Sequence, residues 1–294
     1  MYAGSFVALI TPFRDGKVDE AKLRELVEWQ MANGTDGIVP VGTTGEAVTL
    51  SDEEYVRVVQ VVVETAARRV PIIAGTGTND TAKVIKHNRQ VKEAGADAVL
   101  VVTPYYNKPT QEGLYRHYEA IAARTDLPVV MYNVPTRTSV NMLPETVARL
   151  AKIDNIVGIK EASGSMDQVS AIIASCGPDF DVLSGDDSLT LPIMALGGKG
   201  IISVVANVAP QPVAELTHAF LGGDLARARD LHYRLFDLGR AMFIETNPIP
   251  VKTAAGMLGL CSDELRLPLC PMGEANIAKL RQALVAFGLL AGQG

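Results

Sequence analysis

The chain of 294 residues is 48% hydrophobic and 20% charged, a globular composition with enough apolar mass for a large core. A formal net charge of -6 and the lack of any run of like charge argue against a nucleic-acid partner, and no apolar run reaches the roughly 18 to 20 residues that span a bilayer. Cys176, Cys261 and Cys270, odd in number and without CxxC spacing, speak against a disulfide framework and for a reducing cytoplasm.

The apolar start "MYAGSFVALITPF" lacks a basic n-region and a convincing cleavage site, so it reads as a strand and not a signal peptide. Its Val/Ile-rich run covers residues 5–12. Asp19 is then placed to N-cap a helix in which Leu23, Leu26, Val27 and Met31 share a face, and Asn33-Gly34 supplies the stop. Trp29 sits in that helix and is expected to pack. Further short apolar runs follow at 37–44, 71–77, 98–106, 128–135, 156–163, 181–187 and 200–207, with amphipathic helical stretches between them. "ANGTDGI" at 32–38, "EAGADAV" at 93–99 and "LGGKGI" at 196–201 repeat one signal, a helix ending on glycine and turning into the next strand. Strands apolar on both faces and separated by helices imply a parallel sheet covered by helices.

Eight such strands fit a (β/α)₈ TIM barrel. A doubly wound open sheet is the alternative, but "GTGTND" at 75–80 lacks the third glycine of a dinucleotide fingerprint and "GGKG" at 197–200 is not a P-loop. Past about residue 224 the strands stop, and helical spacing continues through Leu231, Leu235, Leu238 and Met242, then Ile277, Leu280, Leu284 and Phe287. The expected organisation is a barrel over 1–223 that carries the site and a C-terminal helical region over 224–294.

Such barrels place their chemistry at the C-terminal ends of the strands. Those ends carry Thr43-Thr44, Tyr105-Tyr106, Tyr132, Lys160 and Asp186-Asp187. Lys160 interrupts the apolar run "IVGIKEAS"; dehydration there would lower its pKa, and a neutral amine can capture a carbonyl as a Schiff base. The plainer alternative is a stem that packs while the ammonium reaches water or pairs with Glu161. The "PVGTTGEAV" turn at 40–48 can converge N–H groups and hydroxyls on an anion, a carboxylate better than a phosphate, or it is an ordinary glycine turn. Tyr132, one strand before Lys160, can relay protons or merely pack. Arg137 on the following loop can grip a carboxylate or stand in solvent. His87, His117, His218 and His232 fall in helical patterns without metal-ligand spacing, and Asp186 and Asp187 would point apart on a strand, so no metal site is assigned.

Taken together, "GSFVALITPF", "VGTTGEAVTL", "GTGTND", "VTPYYNKPTQEGLY", "YNVPTRT", "GIKEASG", "LSGDD" and "NPIPVK" resemble the N-acetylneuraminate lyase family of class I aldolases, in its dihydrodipicolinate synthase branch, over essentially the whole chain. "GTTGE", "PYYNKP" and "YNVPxRT" with "GIKE" are specific to that branch. The lyases of the family usually carry Ser-Thr at Thr43-Thr44 and lack the arginine at Arg137. The resemblance implies a lyase that condenses pyruvate with L-aspartate-4-semialdehyde to 4-hydroxy-tetrahydrodipicolinate in lysine (diaminopimelate) biosynthesis, without metal, nicotinamide or pyridoxal. By the same resemblance Lys160 forms the Schiff base, Thr44 and the Gly42–Gly45 turn bind the pyruvate carboxylate, and Thr43, Tyr132 and Tyr106 form a proton relay. Tyr106 would enter from a neighbouring subunit of a homodimer, itself paired into a homotetramer. Arg137 would hold the aldehyde's carboxylate, and the backbone near Gly185 and Ile202 would help position the ketoacid. Lysine-sensitive members bind lysine at the dimer interface. Asn79 and Tyr105 match that site, while Ala47, Tyr55 and Lys83 replace its usual serine, histidine and glutamate, which implies weak or absent feedback. A retro-aldolase on a longer sugar acid, and a barrel retained only for binding, are the competing readings.

Overall fold

All eight Val/Ile-rich runs form strands in the computed structural model, which describes residues 2–291. The strands are β1 (Gly4–Ala8), β2 (Gly37–Val39), β3 (Ile73–Gly75), β4 (Ala98–Val102), β5 (Val129–Asn133), β6 (Ile156–Glu161), β7 (Asp181–Ser184) and β8 (Gly200–Ser203). Each pairs in parallel with its sequence neighbour, β8 returns to β1, and a single bridge from Ile38 to Ile72 joins β2 to β3. The result is a nearly closed (β/α)₈ barrel.

The pleat explains why the runs are apolar on both faces. Phe6, Ala8, Val39, Ile73, Leu100, Val130, Leu183 and Ile202 point inward and pack into one cluster that fills the barrel. Val7, Ile38, Val99, Val101, Met131, Ile159, Val182 and Ile201 alternate with them and pack outward under the helices. A side chain at a strand's C-terminal end therefore either enters a dry mouth or faces a helix, and the choice turns on one step of register.

Most intervening helices begin on a side-chain cap. The Asp19 carboxylate accepts from the Lys22 N–H at 3.1 Å and opens α1 (Glu20–Ala32). Ser51 and Glu54 make a reciprocal capping box for α2 (Asp52–Ala66). Asp80 caps α3 (Thr81–Glu93), Thr110 caps α4 (Gln111–Ala122) and Ser165 caps the helix Met166–Cys176. In α1, Leu23, Leu26 and Val27 are buried as expected, Met31 and Trp29 are half-buried, and the helix stops at Asn33. A small hairpin, Phe13–Arg14 with Lys17–Val18, lies between β1 and α1. Its turn is Asp15-Gly16, both at positive φ, the conformation a two-residue hairpin requires.

Beyond the barrel run three helices, Leu225–Ala241, Ile249–Met257 and Glu274–Phe287. Leu231, Leu235, Leu238 and Met242 are buried, as are Leu280 and Leu284, while Ile277 and Phe287 are half-buried. Helix Ile249–Met257 is covered nearly all round, every residue from Ile249 to Ala255 being buried. That placement brings the segment before it, and the lysine within it, against the barrel. Among the described residues no helix is long and apolar enough to cross a membrane.

Candidate active site

Lys160 lies on β6 opposite Tyr132 of β5 and Leu183 of β7. It takes the inward step of the pleat and Glu161 the outward one. Only 6% of Lys160 is exposed, its Nζ stands 4.4 Å from the centre of the Tyr132 ring, and its amine makes no hydrogen bond or ion pair among the described residues. Burial pulls its pKa down to about 8; the Asp187 carboxylate pulls the other way, and the Arg137 guanidinium adds to the lowering. At that value about a tenth of the amine is neutral at pH 7, against about one part in three thousand at an ordinary lysine pKa. The alternative pairing with Glu161 does not occur. That carboxylate faces outward, where it accepts from the Ser163 N–H at 2.7 Å, from Asn133 Nδ2 at 3.2 and 3.3 Å, and from Gln168 Nε2 at 3.4 Å.

Gly185, just past β7, is what lets the lysine stem lie where it does. A Cβ there would fall 3.1 Å from Lys160 Cε and 2.7 Å from Ala162 Cβ, so any side chain would push the amine from its station. Asp186 and Asp187 part because they enter a turn, not because they alternate on a strand. Asp186 caps that turn through the Ser188 N–H, while Asp187 accepts from Ser203 Oγ at 2.5 Å and from the Val204 and Val205 N–H groups at 3.0 and 3.4 Å. Burial raises Asp187 to about 6 against the pull of those three donors, which leaves a carboxylate, mostly ionised at neutral pH, acting on Lys160. The sequence placed this pair at a strand end but assigned it no role.

Tyr132 is buried, and its pKa rises to about 12, with desolvation outweighing Arg137 and a hydrogen bond with the Thr43 side chain. At neutral pH it is a phenol, able to give a proton and take one back. Tyr106 is placed quite differently. It holds φ at +72°, a strained setting for a tyrosine, and is 90% exposed on the loop after β4. Ile202 faces the barrel interior, fully buried.

The 42–46 turn follows β2. Thr11 Oγ1 donates to the Gly45 carbonyl at 2.7 Å, and the Glu46 N–H closes on the Thr43 carbonyl at 3.1 Å. Gly75 permits the turn to sit on β3, since a Cβ there would lie 2.5 Å from the Val41 carbonyl oxygen. The N–H groups of Thr43, Thr44 and Gly45 make no hydrogen bond among the described residues, so the turn keeps donors for an anion.

Three contacts to this turn come from the far end of the chain, and residue-by-residue reading did not find them. Asn247 Nδ2 donates to Thr44 Oγ1 at 3.0 Å, and the Asn247 carbonyl accepts from Arg137 Nη2 at 2.8 Å. Lys252 Nζ pairs with Glu46 Oε1 at 2.6 Å, with both side chains sealed from solvent. The other Glu46 oxygen accepts from the Arg266 N–H at 3.3 Å, and Lys252 and Arg266 both stack on the Phe13 ring. A single acid in a glycine turn and a single lysine in the apolar helix Ile249–Met257 were the available signals. Arg137 itself stands exposed on a short helical turn, Pro135–Thr138.

The residues matched to a lysine site lie around α2 and α3. Tyr55 is buried, gives its hydroxyl to the Gly75 carbonyl at 2.7 Å and stacks on His87 at 4.8 Å. The Asn79 carbonyl accepts from Asn107 Nδ2 at 2.8 Å, Lys83 is exposed in the first turn of α3, and Ala47 and Tyr105 are half-buried. The four histidines all fall in helices: His87 in α3, His117 in α4, His218 in Pro210–Leu221 and His232 in Leu225–Ala241.

A buried amine left unpaired at the mouth of a parallel barrel, with a neutral tyrosine beside it, is the arrangement by which class I aldolases hold a carbonyl substrate as a Schiff base. The chain belongs to the dihydrodipicolinate synthetase family, whose model matches residues 1–287. It is similar to the 4-hydroxy-tetrahydrodipicolinate synthase of Geobacter sulfurreducens, 61% identical over 290 residues that cover 99% of this chain and 100% of the relative. Among solved structures it is similar to dihydrodipicolinate synthase from Aquifex aeolicus, at 52% identity and a TM-score of 0.96 over 98% of this chain and 99% of that one. It is also similar to the chloride-inhibited enzyme from Acinetobacter baumannii complexed with pyruvate, at 47% identity and a TM-score of 0.96 over 98% and 99% of the two chains.

Proposed function

We propose that this chain is a cytoplasmic lyase that condenses pyruvate with L-aspartate-4-semialdehyde to 4-hydroxy-tetrahydrodipicolinate in lysine biosynthesis. The observation that carries the reading is Lys160, inward, dry and unpaired, on a chain 61% identical to a synthase of that name. Neutral Lys160 attacks C2 of pyruvate. Tyr132, with Thr43 behind it, protonates the carbinolamine hydroxyl so that water leaves, and the resulting iminium sits in the field of the Asp187 carboxylate. Loss of a methyl proton gives the enamine, which attacks the aldehyde. The amine of the second substrate then displaces Lys160 as the ring closes. Thr44 and the turn's free N–H groups hold the pyruvate carboxylate, Arg137 holds that of the aldehyde, and backbone near Gly185 and Ile202 flanks the ketoacid.

The test is trapping. Pyruvate with borohydride should leave one reduced pyruvate on Lys160, and the chain should consume aspartate semialdehyde together with pyruvate. Label on another lysine, or pyruvate released from a sugar acid with no condensation, would overturn the reading.

Tyr106 completes the relay from a second copy of the chain in this proposal, within a homodimer paired into a homotetramer. Its exposure and strained backbone support that role. In mixed dimers of Lys160→Ala and Tyr106→Phe chains, one site carries both lesions and the other neither, so about half the normal activity should return. No gain over the parent variants would place Tyr106 in its own subunit's site. Feedback by lysine is proposed to be weak, because the Tyr55 hydroxyl is committed to Gly75 and Lys83 sets a like charge where a cation would bind. Half-inhibition by L-lysine below the millimolar range, at subsaturating pyruvate, would contradict this.

A further inference from the structure

Thr44 is buried, and its oxygen accepts from Asn247 Nδ2 at 3.0 Å, yet its hydroxyl proton has no acceptor among the described residues. Asn247 is itself only 6% exposed, and its Oδ1 is enclosed without a partner among the described residues. Polarity is the point of interest. A hydroxyl offers one proton and two lone pairs. With the NH₂ end of the amide toward it, Thr44 must accept from Asn247 and is left free to donate. With the carbonyl end toward it, Thr44 would spend its proton on Asn247 and present only lone pairs to the pocket, which a carboxylate would repel.

We infer that Asn247 is a positioning residue that fixes the Thr44 hydroxyl as a donor toward the carboxylate of the ketoacid. The inference rests on the proposed function, since it takes a ketoacid as the ligand of the turn. The Arg137 contact separates the two subsites. Arg137 is held by the backbone carbonyl of Asn247, which a change of side chain leaves in place. Side-chain variants should therefore weaken the first substrate and spare the second.

The experiment compares Asn247→Asp and Asn247→Ala with the unaltered chain, each checked for folding by thermal melting. Half-saturation by pyruvate is read from borohydride-trapped Schiff base, and the KM of each substrate from turnover. Asp can only accept from Thr44 and adds a negative charge, so half-saturation should rise roughly tenfold to a hundredfold. Ala merely frees the hydroxyl to rotate, so roughly threefold to tenfold is expected, and Ala carries the test if Asp does not fold. The aldehyde KM should stay within about twofold in both. In a Thr44→Val background, Asn247→Ala should add almost nothing, because the group it acts through is gone. Equal rises in both KM values, unchanged pyruvate half-saturation, or full additivity with Thr44→Val would each overturn the inference while leaving the proposed function intact. Failure of the unaltered chain to trap pyruvate would overturn both.

Discussion

Two lysines are buried in this molecule, and they are treated in opposite ways. Lys252 is sealed against Glu46 at 2.6 Å with the Phe13 ring at 4.1 Å, so its charge is matched and covered. Lys160 has the Tyr132 ring at 4.4 Å but no hydrogen-bonded anion among the described residues; Asp187 acts on it only through space while bonding Ser203, Val204 and Val205. Burial lowers the pKa of both amines, and at Lys252 the Glu46 carboxylate works against that lowering through charge and a direct hydrogen bond. Under the proposed function, the contrast is what separates a structural lysine from a reactive one. Both are dehydrated, but only one is denied the partner that would hold its proton.

Removing each amine should give opposite phenotypes, and this is the largest effect expected. Lys160→Met should lose turnover by at least about three orders of magnitude and all pyruvate trapping, since no nucleophile remains. Its fold should gain stability, by up to about 3 kcal/mol near neutral pH, because a folded-state pKa held below the unfolded value penalises the protonated form. That penalty is complete below about pH 8 and is relieved as pH rises toward the ordinary lysine value, so the gain should shrink over the same window. Lys252→Met should instead strand Glu46 and cost about 3–5 kcal/mol, most of it restored by adding Glu46→Gln. Denaturant melts of the variants measure this, and equal destabilisation by the two Met substitutions would erase the distinction.

Arg137→Ala tests whether the exposed cation belongs to the second substrate alone. It should lower kcat/KM for the aldehyde by roughly tenfold to a hundredfold, the value of a charge-assisted contact, while Schiff-base formation with pyruvate changes little. A parallel loss in both would move Arg137 into the inner pocket.

The smallest effect concerns pH. The rate of Schiff-base formation should rise about tenfold per unit and level off near pH 8 as Lys160 loses its proton. Because Asp187 holds the Lys160 pKa up, Asp187→Asn should shift that plateau to lower pH. A shift to higher pH, or none, would mean that the carboxylate does not act on the amine.

The sequence by itself determined the barrel and singled out the lysine on which the proposed function rests. A parallel sheet covered on both sides needs strands apolar on both faces, so the β1–β8 runs were visible as composition, and Lys160 was visible as the residue that broke one of them. Tyr132 beside Lys160 followed from strand order. The Asp15-Gly16 hairpin was equally legible in local turn chemistry and was passed over. Tertiary structure alone decided what depends on distant groups meeting. Glu46 and Lys252 are separated by 206 positions, and Thr44 and Asn247 by 203, so no periodicity or spacing links them. The state of Lys160 was likewise undetermined, since one pleat step away the same residue would face the helix layer, where Glu161 is buried among hydrogen-bonding side chains. Its pKa is set by which face of β6 it occupies, by the room Gly185 leaves for its stem, and by Glu161 turning outward to Asn133 and Ser163. A pattern along the chain records which residues want to be dry. Only the packed fold determines which buried charge keeps a partner and which is left without one.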